Sequence, residues 1–259
     1  MTRRSLLIDS PRLLELKMDG PALCLRAEGK SRQWFPLRRL SMVICVDVPT
    51  IGMEALAATA SRGIPVSMFS PGGRMIAQLV HPAALPNPLS HWLEAIPCDE
   101  PLATAYGDWL DNQLRHTYAL IGCLGRDSAQ GAERAEAQLR RLAREAKCLG
   151  LVTAAREWMD GLTTALLQAE GMRLGLSASS TQLAGILADL RQAGITLTLT
   201  WLVVAARHLG VDEVKNIPAF FEKHLANDIG NWAKRALFTL ANQLERKAMG
   251  QDLPLPGRR

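Results

Sequence analysis

"IGMEALAATASRGIPVSMFS", residues 51–70, carries a short helix that must stop and become a strand within a few residues. Met53, Leu56, Ala57 and Ala60 recur at the spacing of one helical face, which predicts about three turns of amphipathic helix. Gly63 can take the left-handed conformation that ends a helix, and Pro65 cannot continue one. Ile64, Val66 and Met68 then alternate as a strand does. The stretch therefore predicts a helix laid over a sheet edge.

Working outward, the first 80 residues read as short strands: "SLLI", "RLLELKM", "ALCLRAE", "RQWFPL", "SMVICV", "IPVSMF" and "RMIAQLV". Asp19-Gly20, Glu28-Gly29 and Pro71-Gly72-Gly73 supply the turns between them. In "HPAALPNPLSHW", Pro82, Pro86 and Pro88 predict a stiff connector. Beyond it the pattern is helical, with helices expected at 99–123, 131–147, 151–170, 179–193, 197–209, 217–225 and 227–249. The fold class is α+β: a small N-terminal β-rich domain with one helix, residues 1–85, followed by a larger all-α domain, residues 86–259.

With 259 residues and 48% apolar side chains, the chain can bury a full core. The apolar run Ile195–Ala206 contains three threonines and is shorter than the roughly 18 residues a membrane span needs, so it reads as a buried helix or strand. The start offers only Leu6, Leu7 and Ile8 before Asp9, too short for a secretory signal, and a cytoplasmic protein without membrane contact is expected. Cys24, Cys45, Cys98, Cys123 and Cys148 form no C-x-x-C pair and read as small core residues. The net charge of +5 lies wholly in the first third, where 11 Lys/Arg up to Leu85 face 6 Asp/Glu, against 19 and 19 beyond it. Such a surplus permits a polyanionic partner without requiring one. Phosphate-cradling glycine loops and nucleophile elbows are absent from the sequence.

From Pro36 to Val80 the chain reads "PLRRLSMVICVDVPTIGMEALAATASRGIPVSMFSPGGRMIAQLV". This resembles the phrase "PL..L..VV......I...AL..L...GIPV.F....G...G.L" of the CRISPR-associated integrase/endonuclease family, the first Cas protein, which inserts new spacers in antiviral defence. Asn112 and Gln113 in "LATAYGDWLDNQLRHTYAL" and the phrase "EAKCLGLVTAAREWMDGL" continue the resemblance to about residue 160. It implies a dimer formed through the β-rich domain, and DNA cleavage and transesterification at a divalent cation held by Glu, His and Asp. Hard cations such as Mg²⁺ take carboxylate oxygens and polarise the scissile phosphate.

The resemblance places Leu151 on the metal glutamate, because "AAREW" occupies the family's "AAR.Y". No histidine stands at the expected offset in "KNIPAFFEKH", and only Asp228, followed by Asn231, falls on the metal aspartate. The resemblance thus implies a degenerate site in a dimeric structural or DNA-binding subunit that needs no cofactor. Its partners would be DNA and a second Cas protein or an active paralogue. An alternative is an active enzyme using Mg²⁺ or Mn²⁺ with relocated ligands from Glu157 or Glu170, His208 or His224, and Asp228. A third reading keeps the fold as a protein–protein interaction subunit without DNA.

These side chains also have plain readings. Asp228 suits a helix N-cap, His224 and Asp228 at i and i+4 suit a solvent-facing pair, Glu170-Gly171 suits a helix end, and His208 suits packing or capping. Arg140, Arg144 and Lys147 form a basic stripe beside Arg141. It reads either as a DNA phosphate contact or, with Glu133, Glu136 and Glu145 nearby, as a solvated face.

Overall fold

The computed structural model describes residues 4–81, 88–122, 128–176 and 181–250. Each of the seven expected strands is present: β1 (Arg4–Asp9), β2 (Leu13–Asp19), β3 (Ala22–Ala27), β4 (Gln33–Pro36), β5 (Leu40–Val46), β6 (Val66–Phe69) and β7 (Met75–Leu79). They form two sheets, a four-stranded one in the order β1-β5-β6-β7 and an antiparallel one in the order β2-β3-β4. β5 runs parallel to both β1 and β6. Parallel neighbours need a crossover, and α1 (Met53–Ala60) supplies it between β5 and β6, while the whole small sheet supplies it between β1 and β5. The β6–β7 turn at Ser70–Gly73 is the antiparallel hairpin that its glycines predict.

Register explains why "VICV" is apolar without interruption. Leu6, Val43 and Val66 share one face of the large sheet with Ile8, Cys45 and Met68. That face packs with α1 and with Leu16, Leu23 and Leu25 of the small sheet. The opposite face presents Met42, Ile44 and Phe69 to the helices. A strand buried on both sides has no polar face to alternate.

α1 ends as expected at Gly63, whose φ is +79°, but its buried face is rotated. Ala55, Leu56, Thr59 and Ala60 are buried, whereas Ala57 is exposed and Met53 is 39% exposed. The helix packs on β6 and the edge strand β7 of the large sheet, as expected, and also on β2 of the small sheet, so Leu56 is fully covered. Thr59 can join the buried set because its hydroxyl donates to the Ala55 carbonyl at 2.7 Å.

The helical part comprises α2 (Pro88–Ala95), α3 (Glu100–Leu120), α4 (Ser128–Glu145), α5 (Leu149–Arg173), α6 (Thr181–Leu209), the one-turn helices α7 (Val211–Val214) and α8 (Ile217–Phe220), and α9 (Ala226–Ala248), with a π-turn at Phe221–Leu225. The rest of the predicted connector, residues 82–87, lies outside the described residues, but Pro88 opens α2, a position where the missing N–H costs nothing. The two helices expected at 179–193 and 197–209 are one. Gly194 is retained inside it because a Cβ there would come within 2.5 Å of Thr163 and 3.1 Å of Trp232. Thr196, Thr198 and Thr200 are buried with their hydroxyls returned to carbonyls of the preceding turn, so the run is a buried helix. No helix among the described residues is long and apolar enough to cross a membrane.

α3, α5, α6 and α9 enclose the main core, with Trp109, Trp158, Leu162, Leu197 and Trp232 buried in it. The two deep indoles are satisfied: Trp109 Nε1 donates to the Ala236 carbonyl at 3.0 Å and Trp232 Nε1 to Thr117 Oγ1 at 2.9 Å. Truncating either would cost about 3–5 kcal/mol. This core runs across residue 85. Phe69 meets Trp158 with ring centroids 5.7 Å apart, and Gln78 Nε2 donates to both Ser67 Oγ and the Ala165 carbonyl at 2.9 Å. Of the cysteines, Cys24, Cys45 and Cys148 are buried, Cys98 is exposed because it closes a surface turn before α3, and Cys123 lies outside the described residues.

Candidate nucleic-acid interface

Arg140 and Arg144 lie exposed, one turn apart, along the outer side of α4. Lys147 falls beyond the helix and not on a third turn of the stripe. Its φ is +52°, its N–H bonds to the Arg144 carbonyl and the next N–H, of Cys148, reaches back to Ala143. That pattern is the left-handed cap that swings the chain from α4 into α5, in a place glycine usually fills.

Folding brings two cations to this stripe that the sequence reading missed. Arg156 of α5 reaches Glu136 at 3.2 Å, and the same carboxylate oxygen receives Arg140 at 3.3 Å. Arg207, in the last turn of α6, meets Glu145 at 3.7 Å, and Arg141 meets the other oxygen of Glu145 at 3.8 Å. Arg140, Arg141, Arg156 and Arg207, from α4, α5 and α6, thus form a ridge around two carboxylates, with Arg144 and Lys147 exposed beside it. Among the described residues, no ion pair involves Arg144 or Lys147. The only sequence signal for Arg156 and Arg207 was their phase relative to the α4 acids, which is unreadable before the helices are packed.

Arg156 also lines a groove of about 620 Å³ between α5 and α6, together with Thr153, Glu157, Asp160, Arg191 and Gln192. Arg191 grips both oxygens of Asp160 across it. The groove continues the ridge, and planar guanidinium groups facing solvent are suited to phosphate oxygens.

The candidate metal-ligating residues do not gather. Leu151 is half-buried against the main core and offers no donor atom. Asp228 is exposed at the third residue of α9, which continues from the π-turn with the Ala226 N–H bonded to the Phe221 carbonyl; the N-cap position belongs to Leu225, so the capping reading is replaced. His224 is exposed in the π-turn and stacks on Phe220 at 5.0 Å. His208 is exposed in the last turn of α6 rather than packed. Glu157 is exposed in the groove. Glu170, in the last turn of α5, pairs with Arg173, and burial raises its carboxyl above the usual range, opposed by Arg173 and Lys234.

Residues 8–157, more than half of the chain, match the sequence profile of the family described as CRISPR associated protein Cas1. The chain belongs to the Cas1 family. Among solved structures, a CAS1 protein from Thermotoga maritima is similar over 97% of both chains, with a TM-score of 0.61 and 10% identity. A casposase bound to integration product is similar over 98% of this chain and 92% of that one, with a TM-score of 0.66 and 10% identity. The TtCas1 crystal structure covers 97% of this chain and 100% of its own, at a TM-score of 0.52 and 16% identity. At such identities the likeness concerns the fold, and none of the curated proteins matches the sequence significantly.

In the Cas1 frame, the divalent cation that the family implies does not fit these residues. Among the described residues, no group of three or more His, Cys, Asp or Glu side chains is arranged to hold a metal ion. Leu151, which the resemblance sets against the Glu ligand, is packed on the core, and Asp228 belongs to no such group. A hard cation needs several oxygens converging at about 2.0–2.6 Å, and the described residues bring no such set together.

Proposed function

We propose that this Cas1-family, CRISPR integrase-like protein acts in spacer acquisition as a dimeric, catalytically degenerate subunit that holds DNA by its phosphates without cutting it. Residues 1–85 would serve as the dimerisation unit and residues 86–259 as the DNA-facing unit, beside a second Cas protein or an active paralogue. The observation that carries this reading is the ridge of Arg140, Arg141, Arg156 and Arg207 with Arg144 and Lys147 beside it, set on α4, α5 and α6, where the resemblance gives the metal glutamate's position to Leu151. Exposed cations that meet DNA through its phosphates carry no base readout, so binding is sequence-independent and governed by counterion release.

The test is a salt series on duplex and branched DNA, followed by incubation with Mg²⁺ or Mn²⁺. Affinity is expected to fall roughly tenfold or more between 50 and 200 mM salt if two or more phosphates are engaged. Reversing Arg140 and Arg144 to Glu should flatten that dependence, and no strand transfer should appear. Turnover abolished by Asp228→Ala would instead establish an enzyme with relocated ligands. Absence of binding at low salt would favour a subunit that joins proteins only.

A further inference from the structure

The ridge contains its own anions. Glu136 takes Arg140 and Arg156 on a single oxygen, and Glu145 takes Arg141 and Arg207 on separate oxygens. Each carboxylate therefore holds two guanidinium groups, one on α4 and one on a neighbouring helix. No arginine of the four is gripped bidentately, and their side chains remain 43–65% exposed. A phosphate approaching from solvent can reach every one of them, yet each is partly neutralised before it arrives.

We infer that Glu136 and Glu145 are internal competitors for phosphate, which hold the ridge together in the free protein and are displaced from their arginines when a polyanion binds. This rests on the nucleic-acid reading of the ridge. The physical reason is self-repulsion: the two cations that meet on each carboxylate lie closer together than a Debye length, so the fold places an anion between them. The same anions lower the affinity for phosphate, because every arginine must exchange one oxyanion for another. The two carboxylates differ in grip. Glu145 is 49% exposed and its contacts are long, so it yields first, whereas Glu136 is 26% exposed and has its second oxygen buried.

The experiment measures binding of a mixed-sequence duplex to wild type, Glu145→Gln, Glu136→Gln and the double variant across a salt series, with thermal unfolding of each. Each Gln variant is expected to bind roughly three- to tenfold more tightly at low salt, with the slope of log K against log salt steeper by about 0.9 for each cation released. Glu136→Gln is expected to melt about 2 to 4 °C lower. The opposed signs, tighter binding and lower melting, are the signature of a competitor that also serves the fold. Because Glu136 is partly buried, its variant can disturb packing; the exposed Glu145→Gln keeps the inference testable. Binding by Glu145→Gln equal to or weaker than wild type, or an unchanged slope, would overturn it. If no protein binds duplex at the lowest salt, the nucleic-acid interface itself falls, and this inference with it.

Discussion

Glu170 stands where α5 meets the large sheet. Its partner Arg173 donates from its other nitrogen to the Ser41 carbonyl at 3.2 Å, tying the end of the helix to β5. Burial is the main influence on the carboxyl and raises its pKa, with Arg173 and Lys234 acting against it. A carboxyl whose folded pKa is raised binds a proton more tightly folded than unfolded. Its stabilising contribution is complete below the unfolded value and is lost as pH rises through the folded value. Glu170→Gln should therefore be at least as stable as wild type at pH 7, with any advantage shrinking as pH falls through the raised folded value and gone below the ordinary carboxylate value. Urea unfolding at both ends of that range decides the matter; a variant weaker at pH 7 whose deficit closes in acid would mean that Arg173 outweighs burial. The sequence disclosed that Glu170-Gly171 sits near a helix end, since "ALLQAEG" has that pattern and α5 stops at Arg173. It could not disclose the desolvation, which comes from strand and helix neighbours far away in the chain.

At the scale of elements, the β6–β7 hairpin and α5 meet backbone to backbone. A Cβ at Gly161 would lie 2.7 Å from the Gly73 carbonyl oxygen and 3.0 Å from the Phe69 ring, so only glycine permits this approach. Gly161→Ala should cost about 1–3 kcal/mol, since the clash is with backbone that cannot rotate away. Gly185 offers the contrast. It lies inside α6 with nothing within 4 Å of a would-be Cβ, and Gly185→Ala should gain roughly 0.5–1 kcal/mol from helix propensity. Chemical denaturation of the pair tests whether α5 is locked to the hairpin, and equal responses would show that it is not. The same comparison explains the two-helix expectation for residues 179–209. Gly194 and three threonines are weak helix formers in isolation, but packing against Thr163 and Trp232 outweighs propensities of under about 1 kcal/mol each.

For the whole molecule, the large sheet is covered on both faces, by α1 and the small sheet on one side and by the helices on the other. A second copy meeting this part of the chain would then use strand edges, the exposed side of α1 or the outer face of the small sheet. That face carries Trp34 of β4, 54% exposed, whose indole N–H donates to Asp19 at 2.7 Å, and Leu14 on β2, the other edge strand of the same sheet, is 55% exposed. Exposed apolar groups on a small sheet suit an interface in which the ring is the anchor. The proposed dimer predicts a light-scattering mass about twice the 28.3 kDa of the chain at tens of micromolar, falling to the single-chain value in Trp34→Glu. A monomeric wild type at that concentration would sink the dimer, and an unchanged dimer in Trp34→Glu would move the interface elsewhere.

What the sequence determined by itself is local. Alternation, glycine turns and 3.6-residue periodicity placed every strand, the stop of α1 at Gly63 and the change from strands to helices, because backbone conformation at those positions depends on near neighbours. The tertiary structure alone decided which face of α1 is buried, that β5 runs parallel to its neighbours, and that Arg156 and Arg207 join Arg140 and Arg144 on one ridge. Those facts depend on the angles at which distant elements pack, and no spacing within one helix encodes the phase of another.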